Sequence, residues 1–238
     1  MTFSIIARCP RTGQLGLATA SYSVAIGLYS DNAIRANTGV TLTHGFPNPR
    51  NNHLAIALLA QGHAPSHVLS ELLANDADGD YRQIALVNRE DVAVAHSGAK
   101  LRPWAGHRIG KGFVAFGDML SGQKVVDAMA TAYEAADGKG LDEQLLAALE
   151  AGRDAGGIVG KQGRLPERSA AMTVWGSQRY NEFDLRVDLH DRAIDDLKRI
   201  YTDYKPSIAY YEARAKSPRN AVPAMEFADM LKKQKETT

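Results

Sequence analysis

One cysteine, Cys9, is all that 238 residues contain. A lone cysteine excludes an intrachain disulfide and any zinc site built from cysteines. No apolar run approaches the roughly 20 residues that a membrane helix needs. The first residues carry neither a basic segment nor a continuous apolar core, so no secretory signal is expected. Excess charge is missing as well: 28 Lys and Arg face 27 Asp and Glu, for a formal net charge of +1. A chain so balanced gives no reason to expect nucleic acid or an anionic membrane as partner. The expected compartment is the cytoplasm.

Familiar catalytic signatures are missing too. There are seven histidines, His44, His53, His63, His67, His96, His107 and His190. Only His63 and His67 stand four apart, and Pro65 between them spoils the helix that would align them. No HExxH occurs, so neither a metal nor any other cofactor is expected. No GxSxG occurs either, and in "AHSG" (residues 95–98) neighbouring strand residues point to opposite faces. The Gly-rich stretch "GGIVGKQGRLPERS" (residues 156–169) lacks the Lys-Ser/Thr of a P-loop and reads as a basic loop.

What is present is an ordinary globular composition, 45% apolar and 23% charged, in a chain long enough to bury its own core. "TFSIIAR" alternates as a strand from the second residue onward, and "CPRTGQLG" reverses the chain. Residues 14–27 and 33–45 read as two further strands, the first rich in small residues. Residues 52–76 have apolar residues at helical spacing, broken at Gly62 and resumed after Pro65, which predicts a helical hairpin. A β-hairpin over residues 81–98 and a strand over 107–120 follow. Two amphipathic helices come next, at 121–136 and 141–156, with Ser121 and Asp142 as expected caps.

Strands at 169–176 and 183–190 precede a polar helical tail interrupted by Pro206, Pro218 and Pro223. Runs of like elements, rather than strict alternation of strand and helix, argue for antiparallel sheets with helices outside. Two such sheets face to face would explain strands that are apolar on both sides.

Elimination directs attention to Thr2. Initiator methionine is generally removed before a small residue, and removal would leave a threonine carrying a hydroxyl and a free α-amine. That amine has a reference pKa of roughly 7.7–8.0, so near neutrality part of it is free to accept the hydroxyl proton. Nucleophile and general base then belong to one residue.

The stretches "MTFSIIARCPRTGQLGLATAS", "FPNP", "RQIALV", "AHSG", "WAGHRIG", "GDML", "RSAAM" and "DLRVDLH" run in order from Thr2 to about Tyr204. In them the chain resembles a bacterial domain-of-unknown-function family placed with the N-terminal-nucleophile hydrolases. The resemblance implies an α+β fold, a four-layer αββα sandwich of two mainly antiparallel sheets over residues 1–204. A helical C-terminal extension would occupy 205–238. It also implies that Thr2 is the nucleophile, with Ser21 and Asn48 of "FPNP" as polar positions lining the site. The family usually has Gln where this chain has His44, and Gly-Asn where it has Gly117–Asp118. An Asn at the second place could donate to an oxyanion, whereas an ionised Asp118 would repel one.

Arg186, in "DLRVDLH", has two readings. It lies on the polar face of a late strand, or it binds a substrate carboxylate bidentately. The leading expectation for the whole chain is hydrolysis of a small amide or related C–N bond. A binding or assembly protein that kept the fold is the alternative. A metal-dependent hydrolase using His44 and Asp118 is a third class. A homo-oligomer is also expected, through Ala209, Tyr210, Tyr211, Phe227, Met230 and Leu231 of the tail.

Overall fold

The computed structural model describes residues 1–177 and 181–236, the side chains of 234–236 excepted. Two compact units divide the chain, Met1–Leu197 and Lys198–Thr238. The described residues of the first unit form twelve strands: β1 (Thr2–Arg8), β2 (Leu15–Ser21), β3 (Ile34–Arg35), β4 (Gly39–Gly45), β5 (Arg82–Asn88), β6 (Ala93–Ser97), β7 (Gly106–Gly110), β8 (Phe113–Asp118), β9 (Val159–Gly160), β10 (Gly163–Arg164), β11 (Ser169–Trp175) and β12 (Asn181–Val187). Its helices are α1 (Pro49–Ala60), α2 (Pro65–Ala74), α3 (Lys124–Ala135) and α4 (Leu141–Asp154), and α5 (Ala193–Tyr204) starts within it.

Six strands form one antiparallel sheet in the order β12-β11-β2-β1-β8-β7, and four form a second in the order β3-β4-β5-β6. The sheets pack against each other through Ile6, Leu17, Val40, Leu42, Ala85, Val87, Val114 and Phe116. Helices α1 and α2 cover the outer face of the smaller sheet through Ala55, Leu59, Val68 and Leu72. Helices α3 and α4 cover the outer face of the larger one. This is the four-layer αββα sandwich, and β1 runs through its centre between β2 and β8.

That position explains the composition of β1. A strand covered on both sides carries apolar residues on both faces, and Phe3, Ile5, Ile6 and Ala7 are all fully buried, with Thr2 and Ser4 as buried polar exceptions. Close approach of α4 also explains the small residues of β2. A Cβ on Gly16 would stand 2.7 Å from a methyl of Leu145, so only glycine lets the helix lie there.

Local signals explain most helix boundaries. Asn48 caps α1, its side-chain oxygen accepting from the Arg50 N–H at 3.2 Å, and Pro49 opens the first turn. Gly62, at φ +89°, ends the hairpin's first arm, and Pro65 opens α2. Two expected caps differ. Ser121 lies ahead of α3, its hydroxyl facing the Ala155 carbonyl at 3.4 Å, and Gly140 rather than Asp142 caps α4. The strand expected over 33–45 is two strands, β3 and β4, with Asn37 at φ 55° turning the chain between them. Asparagine tolerates that left-handed conformation. The loop at 156–169 contains the short β9–β10 ribbon.

In the second unit, α6 (Ser207–Lys216) and α7 (Ala224–Glu236) are joined by stacking of Tyr210 on Phe227, with ring centroids 3.9 Å apart. Tyr211 and Met230 stay exposed. Among the described residues no helix is long and apolar enough to cross a membrane.

Candidate active site

Thr2 is the first residue of β1, and register sets its neighbours. Its partner on β2 is Ser21 and its partner on β8 is Asp118. Alternation turns Thr2, Ser4 and Ile6 toward the second sheet. Thr2 is 7% exposed, at the edge of the buried region.

The hydrogen bonds there can be followed proton by proton. The Ser21 hydroxyl donates to the Met1 carbonyl at 3.0 Å and accepts from the Ser23 N–H at 3.0 Å. A hydroxyl has one proton, so the 3.0 Å contact between Thr2 Oγ1 and Ser21 Oγ is a bond that Thr2 donates. The Met1 carbonyl also accepts from the Tyr22 N–H at 3.2 Å. On the other flank, the Met1 amino group pairs with Asp118 Oδ2 at 2.8 Å. Asp118 is 4% exposed, and its second oxygen, Oδ1, has no hydrogen-bond partner. Gly117 completes this flank, since a Cβ there would stand 2.6 Å from the Thr2 carbonyl.

One step deeper, Ser4 donates to Thr19 Oγ1 at 2.6 Å and meets His44 Nε2 at 2.9 Å. With its proton committed to Thr19, Ser4 accepts from His44. His44 is 3% exposed and stacks on Phe116, centroids 4.4 Å apart. Burial, and then the positive amino terminus, push its pKa down to about 3, against a smaller opposing effect of the Gln83 amide. The ring is therefore neutral at physiological pH. Gln83, the register partner of His44, donates to Ser97 Oγ at 2.8 Å, the Gly106 carbonyl at 3.0 Å and the Gly117 carbonyl at 3.1 Å.

A cavity of about 150 Å³ opens beside this cluster, lined by Met1, Ser23, Gly45, Phe46, Leu101, Arg102, Asp118 and Met119. Arg102 lies over the Phe46 ring at 5.9 Å, giving the mouth an apolar wall and a cation.

Of the expected site residues, the structure brings Thr2, Ser21 and Asp118 together and sets His44 behind them. It does not bring Asn48 or Arg186 to that cavity. Asn48 caps α1 and reaches Asp76 at 3.4 Å. Asp76 in turn is held to about 2 in pKa by its hydrogen bond with Arg82. Arg186 lies on β12, an edge strand, and lines a separate cavity of about 470 Å³ with Gly27, Trp175 and Asp184. Among the described residues no three His, Cys, Asp or Glu side chains are grouped to hold a metal ion. Ser4, Thr19, Tyr22 and Gln83 belong to the cluster without having been expected there. Ser4 had a signal, as a polar residue on the same strand face as Ile6; Gln83 had none before strand pairing was known.

Fold and site together define an αββα sandwich with a threonine hydroxyl at the head of its central strand. The chain belongs to the family described as "Family of unknown function (DUF1028)", whose model matches residues 2–197. A crystal structure of a Silicibacter pomeroyi protein of that family is 29% identical, with a TM-score of 0.76 over 86% of this chain and 89% of the other. HslV from Trypanosoma brucei is 12% identical at a TM-score of 0.42, covering 73% of this chain and 99% of its own. Thiobacillus denitrificans BPH is 14% identical at a TM-score of 0.39, covering 76% and 100%. A search of curated proteins gives no match.

Proposed function

We propose that the protein hydrolyses an amide or related C–N bond of a small molecule, with Thr2 as nucleophile after the Met1–Thr2 bond is cut. One observation carries this reading. The Thr2 hydroxyl heads the central strand with a hydroxyl on one flank and a carboxylate on the other, both positioned by register. Loss of Met1 would free the α-amine of Thr2, whose register partner is Asp118, and would remove one wall of the adjoining cavity. The amine takes the hydroxyl proton as Thr2 Oγ1 attacks the acyl carbon. It returns that proton to the departing amine, and water then releases the acyl group. His44, held neutral behind Ser4, shapes the site without supplying its base.

A second reading has its own observation. Met1 is anchored at both ends, its amine on Asp118 and its carbonyl on Ser21 and Tyr22. A retained Met1 would fit a non-catalytic binding or assembly protein. Intact-mass measurement separates the two, because the hydrolase requires loss of one methionine. With Met1 absent, a screen of small amides, ureas and cyclic amides should find turnover that Thr2→Ala abolishes and Thr2→Ser partly keeps. Full activity of Thr2→Ala on any such substrate overturns the proposal.

A further inference from the structure

A threonine nucleophile needs donors for the oxygen that becomes negative as the acyl carbon turns tetrahedral. Asp118, where an asparagine would donate, has only acceptor oxygens. Neighbouring donors are already committed: Ser4 gives its proton to Thr19, His44 gives its own to Ser4, and the Gln83 amide serves three acceptors. Two donors remain that converge on one point beside Thr2. They are the Ser21 hydroxyl and the Tyr22 backbone N–H, at 3.0 Å and 3.2 Å from the Met1 carbonyl oxygen.

We propose that Ser21 O–H and Tyr22 N–H are the oxyanion-binding pair of this site, with the Met1 carbonyl oxygen standing in for the acyl oxygen of a substrate. The assignment rests on the Thr2 reading above. Its geometry follows from connectivity. The Met1 carbonyl carbon is bonded to the Thr2 nitrogen, and a substrate's acyl carbon would be bonded to Thr2 Oγ1. A carbon bonded to both would close a five-membered ring, which puts an acyl carbon on Oγ1 within reach of the same donors. When Met1 leaves, both donors lose their acceptor together.

The step balances within the site. As the Oγ1–C bond forms, the carbonyl π pair moves onto oxygen, where Ser21 and Tyr22 hold it, and the Thr2 proton passes to the α-amine. Collapse restores the carbonyl, breaks the C–N bond and returns the proton to the leaving amine. The strand partners of Thr2 then divide the work, donors from the β2 side and a carboxylate for the ammonium from the β8 side.

The test compares two electrophiles on Met1-free protein. p-Nitrophenyl acetate acylates through an oxyanion; a small epoxide alkylates at a saturated carbon and forms none. Label at Thr2 is followed by intact mass and peptide mapping in wild type, in Ser21→Ala and in Thr2→Ala, whose remaining α-amine reports the label taken at nitrogen, which is subtracted. The expected result is a fall of about 10²–10³-fold in the acylation rate relative to the alkylation rate. An unchanged ratio overturns the assignment, whether both rates hold or both fall together, since a common fall means that Ser21 serves only the nucleophile or the fold. If wild type takes label from neither reagent at Thr2, the nucleophile reading fails first and the assignment with it. Acylation at Thr2 with an unchanged ratio leaves the nucleophile standing and removes only the proposed pair.

Discussion

Two halves of one interface lie between the same sheets and obey different rules. Beyond Ile6, the inner faces meet through Leu15, Leu17, Val40, Leu42, Ala85, Val87 and Val114, all side chains without polar atoms. From Ser4 to Thr2 the same faces meet through Thr19, Ser21, His44, Gln83 and Asp118, all buried and polar. Hydrocarbon tolerates any neighbour of the right shape, whereas a buried hydroxyl or imidazole needs a specific partner. The first half therefore holds the sheets together, and the second fixes where each side chain of the site stands. The transition occurs within one turn of the pleat along β1, between Ser4 and Ile6.

Removing hydrocarbon should have the largest effect on stability. Leu17→Ala deletes buried methyl groups from a site that cannot fully collapse, with an expected loss of about 2–5 kcal/mol in urea unfolding. A loss below about 1 kcal/mol would mean that this half does not hold the sheets. Next comes Thr19→Val, which keeps the volume and deprives the Ser4 proton of its acceptor. A buried donor left unsatisfied costs about 1–3 kcal/mol, and the variant should fall in that range. A neutral outcome would show that Ser4 finds another acceptor.

His44 should make stability depend on pH. Unfolded, it gains a proton below its ordinary value near 6.5; folded, it stays neutral down to about 3. Between those limits the unfolded chain binds more protons, so stability falls as pH falls, by up to about 1.4 kcal/mol per pH unit from this residue. Unfolding curves from pH 7 to pH 4 should steepen accordingly in wild type, and His44→Gln should flatten them. The smallest expected change in stability is that of Thr2→Ala, about 1 kcal/mol, for one hydroxyl at the edge of the cluster. If Thr2→Ala unfolds the protein as readily as Leu17→Ala does, the division between the halves is wrong.

Patterns that repeat along the chain were the readable part of this fold. Alternation in β1, the helical spacing of α1 and α2 and the proline at each of their starts are local, and local physics decides them. The NTG segment at 37–39 carries its turn openly, and a single strand over 33–45 passes over it. Thr2 could be found because its chemistry needs nothing but itself. The rest of the cluster depends on register: Ser4 meets His44 forty positions away, and the Gln83 amide reaches Gly117 across sheets. No spacing rule encodes such pairs. Asn48 shows the opposite limit, since a polar residue in a proline-rich loop has a purely local use as a helix cap. Arg186 is separated from Thr2 by sheet order alone, which places β12 at the edge.

The anchoring of Met1 has a practical consequence for anyone preparing the protein. A purification tag joined to Met1 would turn its amine into an uncharged amide and leave the Asp118 carboxylate buried without a cation. The tag's linker would continue from a residue that lines the same cavity as Phe46, Leu101 and Arg102, the cavity through which the proposed substrate would approach. Under the proposed function, protein made that way would give a blank in every screen, because Thr2 would keep no free amine. A tag beyond Thr238 leaves the Met1 amine free to pair with Asp118, so the choice of which end to tag decides whether the amino terminus keeps its carboxylate partner.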